Sequence, residues 1–261
     1  MTMPAIRSVA NFRDVGGLPT ADGARVRRGQ LYRSGALSAI TSTDTAALRQ
    51  LGIRTVYDLR TEWERDDAPD RLPGGARYVH ADIVAGMGPN GPGRLRGLAA
   101  DPSQARELLG DGRGTAMFIE QYRSFVVEDG VRRAFGRVFL ELATDAGRPG
   151  LVHCSTGKDR TGWLVAALLG LLGVPHELVM RDYLVSQRRL KPFLAPALAR
   201  WEERGGDPRL LRPIISARRE SLEAALREVR QGFGSLERYF AEGLGVPADV
   251  QGELREAFLA R

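Results

Sequence analysis

Several things are scarce in this 261-residue chain, and each scarcity removes a class of protein. Cysteine occurs once, at Cys154, so no internal disulfide can form and a disulfide-stapled scaffold is excluded. With only three scattered histidines beside it there is no zinc-ligand spacing, and neither a metal nor a cofactor is expected. Lysine occurs only at Lys158 and Lys191, so the formal charge of +6 comes from arginines, which are spread among nearly as many acids. Without a basic tail or an aromatic-basic motif, no nucleic-acid partner is expected. The longest apolar run, Trp163 to Val174, has 12 residues. A spanning helix needs about 18 or more, so this run predicts a buried helix and no transmembrane segment. Met1 to Ala10 hold no apolar core of signal-peptide length, which predicts a cytoplasmic protein. What is left, 43% hydrophobic and 27% charged, is the composition of a folded globule with a sizeable core.

The pattern along the chain is α/β. Asn11-Phe12-Arg13-Asp14-Val15-Gly16-Gly17, a turn at Asp22-Gly23 and Gln30 to Ser34 predict short strands joined by turns. Ser42 or Thr43 caps a helix that stops at Gly52, and β-branched and aromatic residues at Arg54 to Leu59 and Arg77 to Asp82 predict two more strands. Gly86 to Gly114 is rich in glycine and proline and then polar, which reads as a loop or mobile insertion. Val131, Phe135, Val138, Phe139 and Leu142 recur at helical spacing and form one apolar face. Leu151-Val152-His153 then reads as a short buried strand and Thr161 to Leu172 as a helix. Helices are predicted over His176 to Val185, Phe193 to Arg204 and Ser216 to Phe233, with two short ones at the end. The expectation is a single domain over 1–261, with a central sheet, helices on both faces and a helical C-terminal third. A lid over a pocket would come from 186–215 or from 86–114, while the stripe on Ser216 to Phe233 reads as core.

Between the predicted strand and helix lies His153-Cys154-Ser155-Thr156-Gly157-Lys158-Asp159-Arg160-Thr161-Gly162. Small residues entering a helix N-terminus turn successive backbone N–H groups toward one point, where the helix dipole adds positive charge. Ser155, Thr156, Gly157, Lys158, Asp159 and Arg160 are thus the candidates for binding phosphate or a similar anion, Arg160 through its planar fork. In that field the thiol of Cys154 is expected to ionise well below its free value of about 8.5 and to act as a nucleophile on phosphorus. Thr161 would donate its hydroxyl to the departing thiolate. His153 would support the loop through ring hydrogen bonds, since a thiolate needs no base.

This string resembles the loop of the cysteine-dependent protein tyrosine phosphatases, His-Cys-x5-Arg followed by Ser or Thr. More narrowly, it is similar to that of the bacterial tyrosine and phosphoinositide phosphatases exported by mycobacterial and listerial pathogens. Asn11 to Gly17, Gly29 to Ser34, Asp58-Leu59-Arg60, Gly173-Val174-Pro175 and Asp182-Tyr183-Leu184 match further motifs of that family. The resemblance implies a tyrosine-phosphatase-like fold and metal-independent hydrolysis of phosphotyrosine proteins, and in some members of phosphoserine, phosphothreonine or phosphoinositides. It also implies that export can occur without a cleavable signal. Ser155-Thr156 departs from the pattern, which has alanine at the second position. None of Trp63, Trp163 and Trp201 precedes Pro-Asp, so the acid loop of the large eukaryotic enzymes is missing, and with no lysine before Lys158 their lysine-bearing recognition loop is missing too.

Expelling an alkoxide or phenoxide requires a positioned acid. Asp58, at a strand end facing the same sheet edge, is the first choice, supported by the resemblance; its alternative is a cap without chemistry. Asp159, inside the loop, is the second, and Asp82 a weaker third. Lys158 reads either as a compact charge for a second phosphate or as a solvent-facing loop residue, and Arg13, Arg33 and Arg60 either bind anions or pair with Asp14 and its neighbours. Two other functions share some of these features. A rhodanese-like sulfurtransferase also cradles one cysteine, but needs neither His153 nor the Asp-Arg-Thr-Gly continuation. A non-catalytic phosphate-binding module needs no Cys154.

Overall fold

The computed structural model describes residues 6–85 and 102–260. A five-stranded sheet runs through it in the order β1 (Arg13–Asp14), β3 (Leu31–Ser34), β6 (Gly150–His153), β4 (Thr55–Asp58), β5 (Arg77–His80). All neighbours are parallel except β1 and β3. The central strand β6 lies between β3 and β4 with His153 opposite both Ser34 and Asp58, so three strands end level at one edge of the sheet. The loop leaving β6 at that edge is the Cys154 loop.

Period-two alternation divides the core into two layers. Leu31, Tyr57 and Val152 face one side, and Tyr32, Val56 and Leu151 the other. The second side is covered by α1 (Ser42–Gln50) through Leu48, with Thr41 capping the helix by accepting from the Asp44 N–H. The first side is covered by α4 (Arg113–Val127), α5 (Asp129–Ala143), α6 (Arg160–Leu171) and α9 (Arg219–Phe233). Helices thus flank both faces. The five apolar positions of α5 named from their spacing are all buried, and α6 is buried along almost its whole length, as a charge-poor run requires. The stripe of α9 packs into the same core against α4.

Some elements differ from the sequence pattern. The two helices predicted around Pro192 are one, α7 (His176–Glu203), which carries Pro192 and Pro196 inside it. Each proline removes one backbone donor, but over this stretch the helix surface is largely exposed, so water satisfies the freed carbonyls and the helix continues. Asp207 then caps a helix not foreseen, α8 (Pro208–Ile215), with proline at its first position. The glycine-rich stretch lies outside the described residues up to residue 101. Its remainder is not loop: α3 (Pro102–Leu109) is helical because Gln104 to Leu109 are all strong helix formers, and α4 follows at Arg113. The short α2 (Glu62–Asp67) precedes β5. At the end of the chain, the three-residue α10 (Leu236–Arg238) and α11 (Ala248–Phe258) are followed by β7 (Leu259–Ala260), which pairs antiparallel with β2 (Arg25–Val26).

Trp201, Leu211, Ala105 and Leu109 are buried together in a cluster separate from the main core, joined by partly buried Leu198, Met117 and Ile214. The predicted cap segment 186–215 is thus a helical pair resting on α3 and the start of α4.

Candidate active site

The loop is pulled open from behind. The carbonyl of Ser155 accepts from the Ala36 N–H at 3.2 Å, that of Thr156 from Asn11 Nδ2 at 3.4 Å, and that of Gly157 from Asn11 Nδ2 and Arg33 Nη2, both at 2.8 Å. In a trans peptide the N–H points opposite the C=O. With three successive carbonyls tied outward, the N–H groups of Thr156, Gly157 and Lys158 face the other side. Gly157 is required twice over: its φ is +66°, and a Cβ there would meet the Ser34 carbonyl oxygen at 2.1 Å. Asn11 itself holds φ of 60°, a conformation its side-chain bonds to the loop sustain.

Arg160 opens α6 and is nearly fully buried. Its fork meets Glu64 on two prongs, Nη1 to Oε2 at 2.6 Å and Nη2 to Oε1 at 2.8 Å, while Nη1 also donates to the Leu59 carbonyl and Nη2 to Ser155 Oγ at 3.3 Å. Ser155 Oγ donates to Glu64 in turn. Burial works to raise the Glu64 pKa, but Arg160, Ser155 and the Thr61 N–H more than offset it and hold the carboxyl at about 2. Glu64 is the site residue the sequence reading missed. Its signal was present as a capping box, Thr61-x-x-Glu64, directly after Asp58-Leu59-Arg60.

Asp159 accepts from Lys158 Nζ at 2.7 Å and from the Tyr122 hydroxyl at 3.1 Å, and Tyr122 is bonded to Tyr183 at 2.8 Å. Burial raises Tyr122 well above its ordinary value, so it stays protonated and donates. Lys158 is not solvent-facing: it is buried, with Nζ 4.9 Å from the centre of the Phe118 ring. Thr161 is fully buried, and its hydroxyl has no hydrogen-bond partner among the described residues.

Asp58 behaves differently from what an acid needs. It is completely buried and accepts from Arg60 Nε at 2.9 Å, Arg60 Nη2 at 2.7 Å, the Arg60 N–H at 2.9 Å and the Tyr78 hydroxyl at 2.7 Å. Burial pushes its pKa up, yet Arg60, His153 and Tyr78 together drive it well below the usual carboxylate range. Held by these donors, the Asp58 carboxylate anchors the Arg60 side chain, with His153 beside it. Buried His153 has Nδ1 3.8 Å from Asp58 and 3.3 Å from the Cys154 carbonyl oxygen. Its Nε2 lies 3.1 Å from Asp70, too far off line for a hydrogen bond. Asp58, Asp70 and His153 have spacing that a metal ion would accept, but the Arg60 guanidinium bonds both carboxylates at 2.7 Å and already supplies their positive charge. Asp82 is remote from these bonds; it accepts from the Val84 N–H and lines a separate cleft with His80, Arg137 and Glu141. Arg13 and Arg33 pair with Asp182 of α7, whereas Asp14 caps the Gly16 and Gly29 N–H groups.

A strand-ending cysteine, a carbonyl-tied loop and an arginine opening the next helix together define a cysteine-dependent phosphate-handling site. Residues 4–260 match the model of the tyrosine phosphatase family, and the chain belongs to that family. It is 34% identical over 258 residues to a putative tyrosine-protein phosphatase of Cupriavidus necator, covering 98% of this chain and 88% of that one. It is 33% identical over 261 residues to a triple specificity protein phosphatase of Mycobacterium tuberculosis, covering 89% of this chain and 90% of that one. A tyrosine-protein phosphatase of Nostoc commune is 28% identical over 159 residues, 61% of this chain and 49% of that one. The chain is a phosphatase of this family, and membership over its whole length sets aside the sulfurtransferase and the non-catalytic binding module. No helix among the described residues is long and apolar enough to cross a membrane.

Proposed function

We propose that the chain hydrolyses phosphomonoesters in two steps through Cys154, with phosphotyrosine proteins as the main substrates and phosphoserine, phosphothreonine or phosphoinositides within its range. The observation that carries this reading is the outward tethering of three successive loop carbonyls around Cys154, beside an Arg160 fixed by Glu64. The phosphoryl oxygens occupy the N–H side of the loop, and Arg160 contributes Nε. The weak contact from Ser155 to Arg160 is the one a phosphate oxygen displaces.

In the first step the Cys154 sulfur bonds to phosphorus as the bond from phosphorus to the leaving oxygen breaks. That oxygen takes a proton from Asp159. Asp159 suits this role better than Asp58, because it stands in the loop on a lysine and a tyrosine and is not locked in a bidentate arginine pair. In the second step water attacks phosphorus, gives a proton back to Asp159, and the sulfur to phosphorus bond breaks. The unpartnered Thr161 hydroxyl donates to the emerging thiolate. A second substrate class is favoured by one observation: buried Lys158 adds a cation at the loop. A triple-specificity relative is consistent with such breadth.

The test is hydrolysis of p-nitrophenyl phosphate in EDTA, with vanadate as inhibitor, followed by a panel of phosphopeptides and phosphoinositides on wild type and Lys158→Ala. Activity that persists in Cys154→Ser would end the nucleophile assignment.

A further inference from the structure

Behind the loop, on the side away from the substrate, two arginines share one carboxylate. Arg13 Nε meets Asp182 Oδ1 at 2.9 Å and Arg33 Nη1 meets Asp182 Oδ2 at 2.9 Å. Arg13 Nη2 adds a longer bond to Asp182 Oδ2 at 3.3 Å, and the other bonds go to neutral acceptors: Arg13 to Asn11, Ser186 and the Asp182 carbonyl, and Arg33 Nη2 to the Gly157 carbonyl. Arg33 is fully buried, and its Nε finds no partner among the described residues. Two cations against one anion leave a formal charge of +1 sealed beneath the loop. An unpaired buried charge costs several kcal/mol unless another charge answers it.

We propose that Arg33 is a positioning residue of the reaction: its surplus positive charge holds Cys154 in the thiolate form from behind the loop while its Nη2 holds the Gly157 carbonyl outward. The role rests on Cys154 being the nucleophile. Two features of the geometry support it. Arg33 sits against the first turn of α6, where a Cβ on Gly162 would lie 3.5 Å from Arg33 Nη2. No other group around the loop leaves a positive surplus: Arg160 stands against Glu64 and Lys158 against Asp159 one to one, and Arg60 faces both Asp58 and Asp70, which leaves a negative charge beside His153. Tyr122 and Tyr183 stay neutral, raised above their ordinary value chiefly by burial. The surplus therefore lies on the Arg13, Arg33 and Asp182 cluster. Burial, and then Arg13, also bring the Arg33 pKa down to about 10 against the pull of Asp182 and Cys154, the direction expected of a cation short of partners. The cluster joins three separated motifs, Asn11 to Gly17, Gly29 to Ser34 and Asp182 to Leu184: Asn11 and Arg33 both donate to the Gly157 carbonyl, and Asp182 holds Arg13 and Arg33.

Because Cys154 is the only cysteine, the thiolate absorbance in the far ultraviolet reports it alone. The titration is run on the full chain, each variant as a difference against the same variant carrying Cys154→Ser. In Arg33→Gln the midpoint should rise by about one pH unit or more, with kcat/KM falling at neutral pH. Arg33→Lys, which keeps the charge, should restore the midpoint toward wild type. Asp182→Asn, which removes the shared anion, should move it downward. Loss of activity in Arg33→Gln with an unmoved midpoint would reduce Arg33 to a structural strut and overturn the proposal. If Arg33→Gln gives no cooperative melt, Asp182→Asn decides, and a midpoint that stays or rises there overturns the proposal equally. A wild type with the expected midpoints but no phosphomonoester hydrolysis would instead refute the catalytic reading on which this role rests, and the midpoints distinguish that failure from failure of the Arg33 assignment.

Discussion

The surroundings of Cys154 and the helical pair of 186–215 are held by opposite means. Around the loop the anchoring contacts are polar and buried: Arg60 on Asp58 and Asp70, Arg160 on Glu64, Arg33 on Asp182 and Gly157. The helical pair rests on an apolar cluster with four fully buried side chains, and α7 is exposed on most positions from Gln187 to Arg200. Directional bonds fix distances to a few tenths of an ångström, as attack on phosphorus needs. Apolar contact is tolerant of sliding, so the same chain joins a rigidly bonded loop to a helical pair that can shift at small cost. Asp182 lies on the first helix of that pair, in the part tied to the loop.

Five substitutions would break or sharpen that contrast, beginning with the largest effect. Cys154→Ser should abolish p-nitrophenyl phosphate hydrolysis while leaving the melting temperature close to wild type. Asp159→Asn should lower kcat by about 10²–10⁴-fold, more for alkyl than for aryl phosphates, since poorer leaving groups depend more on the acid. Asp58→Asn should instead cost stability and leave the leaving-group dependence alone; equal dependence in both variants would undo the assignment. Glu64→Gln should cut kcat/KM by about a hundredfold, through misplacement of Arg160. Trp201→Ala should have the smallest effect, changing p-nitrophenyl phosphate turnover less than about twofold while hydrogen exchange in α8 accelerates, since the helical pair does no chemistry. A large loss of turnover there would show that the two regions are mechanically one.

Acid should also separate them. The Glu64 pKa of about 2 lies below its ordinary 4.5, so this group's stabilisation is complete above about 4.5 and is lost as pH falls from there through about 2. Asp58 and Asp182, also held down by their arginines, add in the same direction. The melting temperature of wild type should therefore fall over that window, and that of Glu64→Gln should fall less.

What could be read from sequence followed from how local the cause was. The Cys154 loop, α5 and α6 were legible because spacing and composition within a dozen residues determine them. Asp58 stands at the sheet edge as its strand position indicated, but that position does not reveal that Arg60, two residues on, folds back onto its carboxylate. Glu64 showed itself only as a cap, since its pairing with Arg160 spans 96 positions. Two prolines split α7 in the sequence pattern, where solvent tolerates both. The pairing of β7 with β2 left almost no pattern, being two residues long and joining distant parts of the chain.

Strand order has a consequence for how the molecule is made. Within the sheet β3 and β4 never touch; each borders β6, on opposite sides. While a ribosome is still making the first 149 residues, the nascent chain can hold two separate strand pairs but no joined sheet. Residues 150–153 unite them, and the next residue out is Cys154. The strand that joins the sheet and the loop that carries the thiol are therefore one continuous segment, and the cradle is completed only when Arg160 and Asp182 have followed.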